Sequence, residues 1–248
     1  MTYDSLVTNL QTLGLFITAD VIQQHFTDPK AQDDNFLQVM DAALLTELSE
    51  RNDKRSVSLL RRAKLLHSPA QLDELLYLPE RCLDQQLIAR LKTGRYIQDH
   101  RNVCIFGASG TGKSFMGKSL GVQACSLGYR TLYVRFPSLM RELLYLELHD
   151  SKQYEKRIRF YSRISVLLID EWLLSAKKHG YAQILLDLMD SRYGETSTIF
   201  CTQLDPEGWS AAVDLKAVGQ SILGRAMSNS FTIHMKGDDL RKIFNDKP

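Results

Sequence analysis

The spacing of apolar residues changes twice along the chain, and the changes divide it. Up to about residue 65 the period is helical. Leu6, Leu10, Leu13 and Phe16 or Ile17 mark a first amphipathic helix that Gly14 ends or bends, and Val21, Ile22, His25 and Phe26 continue a short second one. The turn signals Asp28-Pro29 and the polar run 30–34 follow. Phe36, Leu37, Met40, Ala43, Leu44 and Leu48 then share one face of a longer helix. Residues 66–101 read as a connector broken at Ser68-Pro69 and Leu78-Pro79, with one helix at Asp84–Lys92. Beyond residue 100, short runs rich in β-branched and aromatic residues (102–106, 131–136, 166–169, 197–203, 230–235) alternate with helical stretches (115–125, 138–148, 180–193, 222–226). Pro206 to Asp214, with Trp209, reads as a loop. The alternation predicts an α/β protein built on a three-layer parallel sheet, residues 66–248, behind a small all-helical domain, residues 1–65.

Composition excludes more than it identifies. At 248 residues, 44% hydrophobic and 24% charged, with a net charge of +2, the chain is ordinary for a globular protein, and the sum of charges does not announce nucleic acid. Cys82, Cys104, Cys125 and Cys201 form no C-x-x-C pair and have no histidine at ligand spacing, which argues against a disulfide framework or a zinc site. No apolar run approaches 18 residues and no secretory leader is recognisable, so a cytoplasmic protein without a membrane partner is expected.

One stretch carries specific chemistry. Gly107, Ala108, Ser109, Gly110, Thr111, Gly112, Lys113 and Ser114 spell G-x-x-x-x-G-K-S, after the strand-like 102–106 and before a helix that opens with Phe115. The glycines let successive backbone N–H groups turn inward around an anion, and the helix adds its positive end. Lys113 supplies a mobile cation for β- and γ-phosphates, and the Ser114 hydroxyl can take a position on Mg²⁺. A nucleoside triphosphate, ATP with Mg²⁺, is the expected ligand.

The second signal is Val166-Leu-Leu-Ile-Asp-Glu171. Four apolar residues in a row predict a strand buried on both faces, which delivers the two acids to the sheet edge where ligands bind. Asp170 is placed to hold Mg²⁺ beside Ser114, and Glu171 to orient and activate the attacking water. A small-molecule kinase has no use for the second acid, and neither has a site that only switches conformation; a hydrolase needs it. The polar end of the 197–203 run puts Thr202 or Gln203 within reach of the γ-phosphate or its water. Tyr77 and Leu78, upstream of the loop, are candidates to lie over the adenine.

Basic residues collect in two places. The segment 50–64 carries Arg51, Lys54, Arg55, Arg61, Arg62 and Lys64, and on a helix residues 51, 54, 55, 58, 61 and 62 share one face, a basic stripe. Lys152, Lys156, Arg157, Arg159 and Arg163 are interleaved with Tyr154, Phe160 and Tyr161. Both patterns suit a nucleic-acid backbone, and both also suit a solvated or partly packed helix face.

The order of phosphate loop, Asp-Glu strand, Thr-Gln strand end and late arginine resembles the AAA+ ATPase core. Gly128-Tyr-Arg-Thr-Leu-Tyr-Val134 before a leucine-rich helix resembles the DnaC/IstB branch, and nearly the whole chain is similar to IstB-like helper ATPases of insertion-sequence transposition. Arg-Arg-Ala-Lys at 61–64, Ser-Thr-Ile-Phe-Cys-Thr-Gln-Leu at 197–204 and Lys-Gly-Asp-Asp-Leu-Arg-Lys at 236–242 carry that narrower likeness. The resemblance implies that Thr202 and Gln203 form the sensor I region. It implies that Arg225 is an arginine finger for a neighbouring subunit's ATP, that Arg241 is sensor II-like, and that no full C-terminal lid domain follows. Relatives carry Leu-Asp-Arg-Leu around that arginine, and this chain has Leu-Gly-Arg-Ala. It further implies ATP-driven self-association into a ring or spiral on duplex DNA, with recruitment of a transposase to its target. The alternative is a loader that brings a replicative helicase to single-stranded DNA.

Overall fold

The structure, a computed structural model, describes residues 3–28, 35–174, 176, 179–213 and 215–240. The chain divides into two units, Met1–Ser58 and Leu59–Pro248, so the division falls at residue 58, where the sequence pattern places it near 65.

The first unit holds α1 (Tyr3–Thr12), α2 (Phe16–Thr27) and most of α3 (Phe36–Arg62). The separate basic segment is therefore the continuation of the third helix. No side chain from its own N-cap satisfies the start of α2. Instead the buried Glu47 carboxylate accepts from the N–H groups of Ile17 and Thr18 at 2.8 and 3.3 Å, a negative group on a positive helix end. Arg51 completes this arrangement by pairing with Glu47 at 3.6 Å and donating to the Gly14 carbonyl at 2.8 Å.

In the second unit α4 (Gln85–Lys92) and α5 (Arg95–Gln98) lead into β1 (Asn102–Gly107), α6 (Lys113–Ser126) and β2 (Thr131–Arg135). There follow α7 (Phe136–His149), α8 (Ser151–Ser162), β3 (Val166–Asp170), α9 (Tyr181–Asp190) and β4 (Ser197–Thr202). The described part closes with α10 (Pro206–Ala212), α11 (Lys216–Met227) and β5 (Ser230–Met235). All five strands run parallel in the order β2-β3-β4-β1-β5. This is the α/β fold with a parallel sheet that the strand–helix alternation predicts. Alternate residues divide the core. Val103, Ile105, Leu168 and Cys201 pack with α4, α5 and α6 on one face. Cys104, Phe106, Ile169 and Phe200 pack with α7, α9, α10 and α11 on the other. The central strands β1, β3 and β4 are buried almost throughout, and the edge strands β2 and β5 are not.

Two local expectations are corrected. Phe136 is the first residue of α7, with Pro137 in its first turn, because proline's fixed φ suits a helix start. Residues 206–212 are helical: Pro206 opens α10, the Asp205 carboxylate caps the Gly208 N–H at 2.7 Å, and Trp209 is buried against Phe106, Trp172 and Phe200. One strut has no motif to announce it. The buried Arg192 donates to the carbonyls of Tyr161, Ile164 and Ser197 and to the Thr198 hydroxyl, tying the approach to β3 to the start of β4.

A nucleotide site at the carboxyl edge of the sheet

The loop between β1 and α6 has the shape its glycines allow. Gly110 and Gly112 sit at φ +81° and +92°, which L side chains rarely adopt. A Cβ at Gly110 would stand 2.2 Å from the Asp239 carboxylate, and one at Gly112 would stand 2.9 Å from Arg81 Nη2. The space beside the loop is thus closed to anything but bare backbone. α6 starts at Lys113, so its first N–H groups and positive end face the loop. Lys113 is buried and its Nζ donates to the Ala108 carbonyl at 2.6 Å. Thr111 is also buried and donates to Ala108, 2.9 Å away.

A cavity of about 710 Å³ opens at this point. Ser109, Gly110, Gly112, Lys113, Ser114 and Phe115 line it from the loop, Asp170, Glu171, Cys201 and Gln203 from the strand ends, and Glu74, Leu75, Leu76, Arg81 and Leu240 from outside the motifs. Gly107, Ala108 and Thr111 shape the loop from behind. The fold therefore brings the two strong sequence motifs into one site. Tyr77 and Leu78 do not line it; Leu75 and Leu76 do, a shift of two residues that a connector without periodicity does not signal. Gln203 faces the cavity. Thr202 does not: it is buried, and its hydroxyl donates to the Trp172 carbonyl at 3.2 Å and accepts from the Leu204 N–H at 3.1 Å.

The Ser114 hydroxyl and Asp170 Oδ1 lie 3.0 Å apart, and a hydroxyl with a carboxylate is the oxygen donor pair that Mg²⁺ prefers. Among the described residues no cluster of three or more His, Cys, Asp or Glu side chains could hold a metal ion. A divalent cation at Ser114 and Asp170 would complete its shell from phosphate oxygens and water. The second Asp170 oxygen accepts from Tyr133, whose hydroxyl is 3.2 Å away. Burial, reinforced by the Asp170 charge, pushes the Tyr133 phenol pKa up, so Tyr133 stays a proton donor to that carboxylate.

Glu171 follows the strand in a left-handed conformation, φ +57°, unusual for a residue with a side chain and typical of functional turns. Its carboxylate is held by Arg135, with Nη2 to Oε1 at 2.6 Å and Nε to Oε2 at 3.2 Å. The β2–β3 register places Arg135 directly beside Asp170. In this arrangement the Arg135 guanidinium engages both oxygens of the Glu171 carboxylate. Tyr133 lies inside the Gly128–Val134 segment and Arg135 just past it, and the sequence marks neither as a site residue. The available signal was their place at the end of a strand adjacent in space, and strand order cannot be read from the chain.

Arg225 lies elsewhere. It sits on α11, pairs with Asp190 of α9 and donates to Ser221. Its own backbone carbonyl, with that of Ala226, accepts from Asn102 at the start of β1. The phosphate loop follows the end of β1, about 17 Å away at ~3.3 Å per residue. Arg241 lies outside the described residues.

Of the basic residues, Lys54 pairs with Glu50 at 2.9 Å, Arg157 with Glu142 at 2.7 Å and Arg159 with Glu155 at 3.3 Å, and Arg55 also has an interaction. Arg61, Arg62, Lys64, Lys152 and Lys156 are exposed or half-exposed without an ion pair among the described residues. Arg62 and Lys64, from the first stripe, meet Arg157 and Phe160, from the second, around a cavity of about 490 Å³ along the β2 edge. Arg61, Lys64 and Lys118 line a neighbouring cavity of about 580 Å³. Tyr161 is buried, with its hydroxyl on Glu142, and Tyr154 is half-buried, with its hydroxyl on Asp187, so these two aromatics serve packing.

Comparison with known proteins places the chain in a family. Residues 8–247 match the family described as IstB-like ATP binding protein. The chain is 33% identical over 198 residues to an insertion sequence IS1162 putative ATP-binding protein of Pseudomonas fluorescens, covering 80% of this chain and 85% of that protein. It is 31% identical over 235 residues to a putative insertion sequence ATP-binding protein of Sinorhizobium fredii, covering 94% of each. The crystal structure of the DnaC helicase loader superposes with a TM-score of 0.53 at 16% identity, over 68% of this chain and 98% of that one, a likeness of fold. No helix among the described residues is long and apolar enough to cross a membrane. With its phosphate loop and acidic strand end assembled in one cavity, the chain belongs to the IstB-like ATP binding protein family.

Proposed function

We propose that this protein hydrolyses ATP with Mg²⁺ while assembled on duplex DNA, and that the assembly helps a transposase engage its target. The observation that carries hydrolysis is the Ser114–Asp170 pair, 3.0 Å apart, with Glu171 next in sequence at the mouth of the same cavity. When bound, Mg²⁺ would neutralise charge on the phosphates. The chain's own residues do the rest. The loop N–H groups and Lys113 bind the phosphates, Asp170 and Ser114 offer oxygens to the metal, and Gln203 stands where the terminal phosphate or its water can be oriented. Glu171, once released by Arg135, takes the water's proton.

Arg225 supplies the transition-state cation to a neighbouring copy, because its own phosphate loop lies at the opposite end of β1. A finger of this kind is worth roughly three to five orders of magnitude in phosphoryl transfer, which makes assembly part of catalysis. The exposed cations gathered along the β2 edge support a sequence-independent grip on DNA phosphates. The names of the relatives support transposition as the setting.

The test is ATPase rate and particle mass measured together, with duplex, with single-stranded DNA and without DNA. Hydrolysis stimulated by duplex, with ATP-dependent growth into large particles, is the expected result. Stimulation by single strands alone would favour a helicase loader. A monomer indifferent to DNA would refute the assembly reading.

A further inference from the structure

Arg81 is the most completely buried charged side chain at the nucleotide cavity, 3% exposed. It belongs to no motif and comes from the connector before the phosphate loop, in the short turn Pro79–Arg81. Its backbone is fixed, since the Arg81 N–H donates to Leu78 and its carbonyl accepts from Lys236 just past β5. Its guanidinium is fixed as well. Nη1 donates to the Leu76 carbonyl and Nη2 to the Thr111 carbonyl inside the phosphate loop, both at 2.9 Å. One residue therefore ties the outer wall of the cavity to the loop that cradles phosphates. Two features of this strut are unexplained by structure alone. Nε is buried without a partner. No carboxylate among the described residues lies within ion-pair distance of the guanidinium, and burial lowers its pKa against the opposing pull of Glu80. A buried cation without a counter-charge opposes folding. A neutral side chain could brace two carbonyls without that penalty.

We propose that the missing counter-charge is the phosphate chain of the bound nucleotide, and that Arg81 is a phosphate-contacting residue of this site. The placement favours phosphate over base, because Nη2 lies against Gly112, immediately before Lys113 and Ser114. Arginine suits the task better than lysine: its planar fork holds two carbonyls and still carries charge and further N–H groups toward an anion. Arg81 then reports an occupied loop to the connector, since the guanidinium that meets the phosphates also holds Leu76. The inference rests on the nucleotide reading of the cavity.

The experiment measures affinity of wild type, Arg81→Met and Arg81→Lys for ATP and ADP by calorimetry, and for adenosine by competition against fluorescent ADP, with melting temperature recorded without nucleotide. Arg81→Met is expected to weaken ATP and ADP about 10- to 100-fold while adenosine changes less than about twofold, and Arg81→Lys to lie between. The nucleotide-free melting temperature should hold or rise in Arg81→Met, since an uncompensated charge has gone. Unchanged ATP affinity in either variant would overturn the proposal. Equal weakening of ATP and adenosine would overturn it too, because a strut that only positions the wall cannot distinguish a charged ligand from an uncharged one. Should Arg81→Met fail to fold, the Arg81→Lys ratio of ATP to adenosine affinity decides. Wild-type protein that binds no nucleotide would instead refute the reading of the cavity itself.

Discussion

At the C-terminal end of β1, Lys113, Ser114, Asp170 and Glu171 have hydrogen-bond partners around one cavity, whereas at the N-terminal end the Arg225 guanidinium is held, among the described residues, by Asp190 and Ser221. The first group is local machinery: its donors and acceptors converge on one cavity, which Arg81 also lines. The second has no substrate within its own chain. A cation held at the edge of the fold, with 31% of its side chain exposed, is suited to a ligand that arrives from outside. The contrast separates what one copy is built to hold from what the proposed assembly would supply. Gly224 stands where the family resemblance implies an acid, and a Cβ there would meet nothing within 4 Å. Asp190, from a different helix, supplies a carboxylate to the arginine in its place.

The comparison breaks most visibly at the remote end. Arg225→Ala is expected to lower DNA-stimulated turnover about a thousandfold or more while ATP affinity stays within twofold. Mixing it with Lys113→Ala, which should bind no ATP, ought to recover part of the rate, because the intact finger of one copy can serve the intact loop of the other. Failure of that rescue, with each variant folded, would return Arg225 to a structural role. At the near end, Glu171→Gln should reduce hydrolysis about 10²- to 10³-fold while ATP still binds. Hydrolysis at the wild-type rate would remove Glu171 as the base. Arg135→Ala sharpens the same point. If the ion pair restrains Glu171, basal hydrolysis without DNA should rise a few-fold; a fall would mean that Arg135 assists the chemistry. On the β2 edge the expected effect falls on DNA binding and not on the chemical step. Arg61→Ala, Arg62→Ala and Lys64→Ala together should lower DNA affinity about tenfold at moderate salt and reduce the slope of log affinity against log salt by about 2 to 3. An unchanged slope would make these residues solvated surface.

Legibility along the chain followed the range of the interactions. β1, β3 and β4 begin at the residues their apolar runs indicate, because a strand buried on both faces writes itself as a continuous hydrophobic stretch. The phosphate loop was legible because backbone conformation and charge are set there by consecutive residues. Trp209 was misread with its loop, since three aromatic partners from three distant strands and turns draw a seven-residue helix onto the core. Thr202 and Gln203 are neighbours in sequence, yet strand alternation buries one and sends the other to the cavity. Periodicity can state that they differ in face but not which face holds the ligand.

The amino-acid sequence by itself determined that a strand, a glycine-rich turn and a helix would make an anion site, and that an apolar strand would end on two acids. Those features depend on residues within a few positions of one another, where steric limits and hydrogen-bond geometry act directly. Tertiary structure decided that Tyr133 and Arg135 would stand beside Asp170 and Glu171, that Arg81 would reach the phosphate loop, and that Arg225 would lie at the far end of β1. Each of these depends on strand order and on chain returning from tens of residues away. Such contacts are selected by the burial of the whole core, which no local pattern contains.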